Sequence, residues 1–291
     1  MSAKFCWSLA GIVYTLSICF PTWADEKADV TLQAACQKKG GELAKQLGET
    51  CRVLVRPPFV LAGTLTDEEL EAWHKQTIQP AAEALAACYF TSAPSEPITV
   101  LLFPVEKDYN HFAKQLYGDA GVSVYGYYKP GKRTLIMNIG TGGGTLVHEL
   151  THALADFDYP RIPDWFNEGL ASLHEQCRFR RDDSGPWIEG LENWRLPLLQ
   201  ESIRKKSLRS LQSLIADDDF RGAGVGLNYA QARYFCMYLQ REKKLQTLYL
   251  AMRTQQKTDK LGLASVKSLF PGKSWDEIDQ AFQAWAVTLK R

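Results

Sequence analysis

The spacing of apolar positions changes several times along this chain, and each change marks an element. Ile98 to Phe103 is a mostly apolar run between Pro97 and Pro104. Val122 to Tyr128 and Thr134 to Ile139 are two further short runs, separated by Lys129-Pro130-Gly131-Lys132. Short runs rich in β-branched and aromatic residues, bounded by Gly and Pro, predict strands joined by a turn. From Thr145 to Ala155 the period lengthens: Leu146, Val147, Leu150, Ala153 and Leu154 recur at helical spacing and predict a buried helix. Gly140-Thr141-Gly142-Gly143-Gly144 joins the second of those strands to this helix. It lacks the Gly-Lys-Ser/Thr ending and the G-x-G-x-x-G spacing of phosphate loops. It reads instead as a flexible joint that lets backbone approach a ligand closely.

Asp156 to Pro163 carries two prolines and predicts a loop that turns the chain back. Asp164 is placed as the N-cap of a second helix, whose apolar side is Trp165, Phe166, Leu170 and Leu173. The two helices are expected to pack side by side. The flanks read as helical. Thr66-Asp67-Glu68-Glu69 is a capping box opening a helix toward Phe90, with a kink or break expected at Pro80. A second capping box, Ser274 to Glu277, opens a terminal amphipathic helix carrying Ile278, Phe282, Trp285 and Leu289. The pattern as a whole predicts an α+β fold, a small mixed sheet followed by two packed helices. Residues 1–24 read as a leader, 25–95 as a helical N-terminal region, 96–240 as the central unit and 241–291 as a C-terminal helical region.

The central helix holds the chemistry. His148-Glu149-Leu150-Thr151-His152 places two imidazoles four residues apart, hence on one helix face, with Glu149 beside them. Three polar groups in a buried helix are costly without a partner, and a metal ion is such a partner. Zinc takes two histidines at this spacing plus a third protein ligand, and leaves one position open for water. Glu168, sixteen positions after His152 in the second helix, is the candidate third ligand. His174 and Glu175 lie about two turns further along and are weaker rivals.

His148 to His152 followed by Trp165-Phe166-Asn167-Glu168-Gly169-Leu170-Ala171 resembles the two zinc motifs of the gluzincin metallopeptidases, in particular the aminopeptidase-like clan and its small bacterial relatives. The resemblance covers roughly residues 120–240. It implies a zincin-like catalytic domain, one zinc on His148, His152 and Glu168, and Glu149 as general base. It also implies a downstream tyrosine that stabilises an oxyanion, for which Tyr229 is the candidate and Tyr234 the reserve, and an edge strand that holds extended substrate. The motif that selects a free N-terminus in the large family members is not evident. Ser172 stands where some gluzincins carry an acid that supports a zinc histidine, a role open here to Asp156, Asp158, a backbone carbonyl or water.

Charge and composition narrow the partners. Lys and Arg total 34 against 33 Asp and Glu, with no basic stripe, which disfavours nucleic acid. Lys4 precedes an apolar stretch from Phe5 to Phe20 and Pro21-Thr22-Trp23-Ala24, the pattern of a secretory signal cleaved near Ala24; an uncleaved N-terminal anchor is the alternative. No later segment is apolar enough to cross a membrane. Export favours disulfides among Cys36, Cys51, Cys88, Cys177 and Cys236, with Cys36–Cys51 the expected pair. The expectation is therefore an exported, periplasmic or secreted, zinc metallopeptidase acting on peptide or protein substrates. A zinc-binding scaffold without catalysis and a zinc hydrolase of a non-peptide bond are its rivals.

Overall fold

Alternation along three strands decides the architecture. The computed structural model describes residues 26–121, 123–183 and 185–290; the leader read at residues 1–24 lies outside them. Strands β1 (Arg52–Arg56), β2 (Phe59–Gly63), β3 (Ile98–Phe103), β4 (Gly126–Lys129) and β5 (Thr134–Asn138) form one sheet in the order β1-β2-β3-β5-β4. β2, β3 and β5 run parallel to one another, and β1 and β4 close the edges antiparallel. Successive side chains of a strand point to opposite faces. Val60, Ala62, Leu101, Phe103 and Ile136 therefore pack on one face, against Cys36 and Leu43 of α1 (Glu26–Leu47) and Tyr109 and Phe112 of α4 (Glu106–Tyr117). Phe59, Leu61, Val100, Leu102, Leu135 and Met137 enter the larger core on the other face. Burial on both faces explains why these strands read as apolar runs rather than as alternating ones.

The larger core is helical. α2 (Asp67–Trp73) and α3 (Gln79–Cys88) are joined by a π-helical turn, His74–Ile78. Pro80 sits in the first turn of α3, so the break expected at this proline takes the form of a π segment just before it. The Thr66 capping box forms in both directions. α5 (Gly144–Asp158) and α6 (Asp164–Glu175) follow, then a separate hairpin of β6 (Cys177–Asp182) and β7 (Gly185–Gly190). α7 (Leu196–Arg204), α8 (Leu211–Ile215), α9 (Val225–Arg241), α10 (Leu245–Gln255), α11 (Leu263–Ser268) and α12 (Trp275–Ala286) complete the chain, with α12 opened by the expected Ser274–Glu277 capping box. Among the described residues, no helix is long and apolar enough to cross a membrane.

Several expectations change. The fold is α+β, but residues 25–95 are not all helical: β1 and β2 lie there, and β2 pairs with β3 across the expected boundary near residue 95. Phe59 to Gly63 is a buried strand whose continuous apolar run carries no period, so periodicity could not separate it from helix. β4 is shorter than the run Val122 to Tyr128, because it is paired only from Gly126. Cys36 and Cys51 are free thiols here, as are Cys88, Cys177 and Cys236. The Cys36 thiol turns instead toward Pro58 O, 3.7 Å away.

Asp158, at the C-terminal end of α5, ties three segments together. Its buried carboxylate accepts from Thr91 N (2.9 Å), Ser92 N (2.7 Å) and Tyr249 OH (2.9 Å) and pairs with Arg253 (2.9 Å). Removing one partner of a buried charged network leaves the others unpaired. Asp158→Ala should therefore lower stability by about 3 kcal/mol in urea unfolding. A loss below about 0.5 kcal/mol, the range of ordinary surface changes, would contradict this role.

Candidate metal centre

Two close backbone approaches bring the candidate ligands together. A Cβ on Gly144, the first residue of α5, would lie 2.4 Å from the Glu175 carbonyl oxygen, so the start of α5 rests on the end of α6 and the helices run antiparallel. A Cβ on Gly169 would lie 3.0 Å from Ala232 O of α9, so the turn of α6 that follows Glu168 is pressed onto α9. Pro163, not Asp164, occupies the N-cap of α6. Its ring fixes φ near the value this position adopts, and Asp164 becomes the first helical residue, where an acid suits the helix dipole.

His148 and His152 stand on one face of α5, with Glu168 of α6 opposite. Their Nε2 atoms are 3.1 Å apart. Glu168 Oε2 lies 3.3 Å from His148 Nε2, and Oε1 lies 3.6 Å from His152 Nε2. One ligand atom from each residue falls within 4.8 Å of the others, an arrangement that can hold a metal ion. Local contacts support the fit. Two imidazole nitrogens face each other with room for at most one proton between them, and Glu168 Oε2 is buried without a hydrogen-bond partner. Two ring nitrogens and a carboxylate converging on one point form a donor set suited to a cation.

Electrostatics agree. Burial opposes a charge on His152, but contact with Glu168 outweighs it and raises the imidazole to about 9. Burial likewise opposes charge on Glu168, yet contacts with His148 and His152 hold its carboxyl well below the ordinary range. Metal uptake requires the neutral ring, so it displaces a proton from this pair. Beside them, burial pushes the Glu149 carboxyl upward against the pull of both histidines. Glu149 Oε2 accepts from the backbone N–H of Tyr128 at 2.9 Å, which ties α5 to the edge strand β4.

The three candidate ligands and Glu149 line a cavity of about 560 Å³, walled by Gly126, Tyr127 and Tyr128 on one side and by Arg221 and Tyr229 on another. Tyr229, half-buried on α9, does face the site. Burial first, and Glu168 next, raise its phenol, so it stays protonated and able to donate. Tyr234 does not reach the site: its hydroxyl accepts from Asn193 N at 3.0 Å. His174 packs against Tyr89, 3.4 Å from its hydroxyl, and Glu175 pairs with Arg195, so neither rival belongs to the cluster.

Two contributors escaped the sequence reading. Asn167 Oδ1 lies 2.8 Å from His152 Nδ1 and orients that ring, a role left open to Asp156, Asp158, a backbone carbonyl or water. Asp156 is engaged with Tyr128 OH and Asp158 with its own network. The available signal was a poor helix former placed beside the candidate ligand. Arg221 pairs with Glu168 Oε1 at 2.6 Å, from a loop that carried no motif. No family model matches the chain, and no curated protein matches it.

Asn167→Ala should weaken zinc binding by about 10- to 100-fold, as loss of a ligand's supporting partner typically does. Titration against a chromophoric chelator measures this, and unchanged affinity would show that Asn167 does not orient the ring.

Proposed function

We propose that this chain is an exported zinc-dependent metallopeptidase of gluzincin type, with a zincin-like catalytic unit built on α5, α6 and the edge strand β4. One observation carries the reading: two imidazoles and a buried carboxylate converge at one point in a cavity, with a second carboxylate, Glu149, beside them. A structural zinc site is usually closed by a fourth protein ligand, whereas three ligands opening on a cavity are the catalytic pattern. His148, His152 and Glu168 would hold the ion. The chemistry zinc supplies when held there is Lewis acidity, toward water and toward a carbonyl oxygen alike.

The remaining steps belong to the chain. Tyr128 N–H fixes one oxygen of Glu149, which leaves the other to accept a proton from the attacking water. The water oxygen bonds to the scissile carbonyl carbon, and negative charge develops on the carbonyl oxygen. Tyr229, protonated and lining the same cavity, donates to that oxygen. As the C–N bond breaks, Glu149 passes its proton to the leaving nitrogen. Burial raises the Glu149 carboxyl, the direction that strengthens it as a base toward the attacking water.

β4 supplies the rest of the cleft. It is the sheet edge, paired with β5 on one side only, and Gly126 to Tyr128 border the cavity. The Tyr128 N–H points away from β5 toward Glu149, so the unpaired backbone of this strand faces the reacting groups. An extended peptide adds naturally to such an edge. The N-terminal signal pattern at Met1–Ala24 supports export.

Glu149→Gln is expected to retain zinc while peptide hydrolysis falls by about 10²- to 10⁴-fold, the usual contribution of a positioned general base. Metal analysis and a fluorogenic peptide assay on the same preparation measure both. Hydrolysis at the wild-type rate would remove Glu149 from the mechanism.

A further inference from the structure

Arg221 is the one Lys or Arg among the described residues that line the cavity, whose carboxylates are those of Glu149, Asp156, Asp164 and Glu168. Its guanidinium touches three of the lining groups. Nη2 lies 2.6 Å from Glu168 Oε1, Nε lies 3.7 Å from Asp164 Oδ2, and Nη1 lies 3.4 Å from the Tyr229 hydroxyl. Arg221 is nonetheless half exposed, carried on the loop of residues 216–224 between α8 and α9. A charged side chain that borders a cavity from a surface loop is free to exchange partners.

A guanidinium is a planar fork of five donors shaped to hold carboxylates. Here the Nη1 side meets only a phenol, and the strongest contact is to Glu168, a carboxylate that a metal would also claim. Binding of a cation by Glu168 weakens its hold on Arg221 and leaves the fork turned toward the cavity, beside the phenolic donor. Arg221 and the His152 ring are the cationic side chains of the lining, and of the two only Arg221 is not a candidate metal ligand, so it is the one left to hold an anionic group of a substrate.

Resting on the metallopeptidase reading, we propose that Arg221 is its specificity-determining residue. It binds the free C-terminal carboxylate of a peptide, so the favoured substrates are cleaved close to their C-terminus. The distance sets how close. Arg221 touches a ligand atom of the centre, and an extended chain covers at most about 3.5 Å per residue, so the carboxylate it holds lies within about two residues of the bond that is cut.

The test uses an N-acetylated tripeptide as the free acid and as its C-terminal amide. Binding is measured by calorimetry on the zinc-loaded protein carrying Glu149→Gln, so that neither probe turns over, and hydrolysis is measured on the wild type. The acid should bind at least about 10-fold more tightly than the amide, the scale of one charge-assisted contact. Adding Arg221→Gln should bring the two affinities within about 2-fold with zinc retained. Arg221→Lys, which keeps the charge without the fork, should fall between. Equal affinities with Arg221 present, or a preference that survives Arg221→Gln, would overturn the assignment while leaving the peptidase reading intact. Preferential binding of the acid with no hydrolysis of either probe would overturn the peptidase reading and the placement of cleavage with it, leaving Arg221 only as a carboxylate-binding residue. Failure of the protein to take up zinc would overturn both.

Discussion

The structure is organised around one costly act, the burial of the Glu168 carboxylate. Its side chain is 3% exposed, and an isolated ionised carboxylate in such a place would revert to its neutral form. It stays ionised because three cationic or polarisable partners surround it: His148, His152 and Arg221. Each comes from a different constraint. The histidines share a face because α5 is helical. α6 lies against them because Gly144 and Gly169 admit backbone contact at its two sides. Arg221 arrives from a loop ahead of α9, which the same packing of α6 onto α9 holds in place.

That arrangement links the sheet to the chemistry. β4 is an edge strand, and edge strands expose backbone donors that must be managed. One of them, Tyr128 N–H, is satisfied by Glu149. The same bond orients the proposed base and presents the rest of the strand edge to the cavity. On the far side, Asp158 closes α5 with a network that has no part in the site but fixes the helix end against α10 and the segment before β3. The site is thus held from both ends of one helix.

Much of this was legible in the sequence because it rests on local geometry. The i, i+4 histidines, the capping boxes at Thr66 and Ser274, and the α5 and α6 helices follow from spacing alone. Pairing across the sheet was not legible. β1 and β2 sit amid helical sequence, and their place beside β3 depends on a contact between distant segments. Asn167 was hidden for a similar reason: its bond to His152 depends on how α6 is rotated against α5, which apolar spacing fixes only coarsely. Arg221 lies in a loop, where no period constrains position. Cys36 and Cys51 stand as free thiols, with Cys36 directed at Pro58, and proximity in sequence says little about such side-chain direction.

The most direct measurement is the zinc content of the purified protein beside His148→Ala and Glu168→Ala variants. One zinc per chain in the wild type, lost from both variants while their helical content is kept, is the result expected if the cluster is a metal centre. A wild type that binds no zinc even when the ion is supplied, or variants that bind as tightly as the wild type, would contradict it.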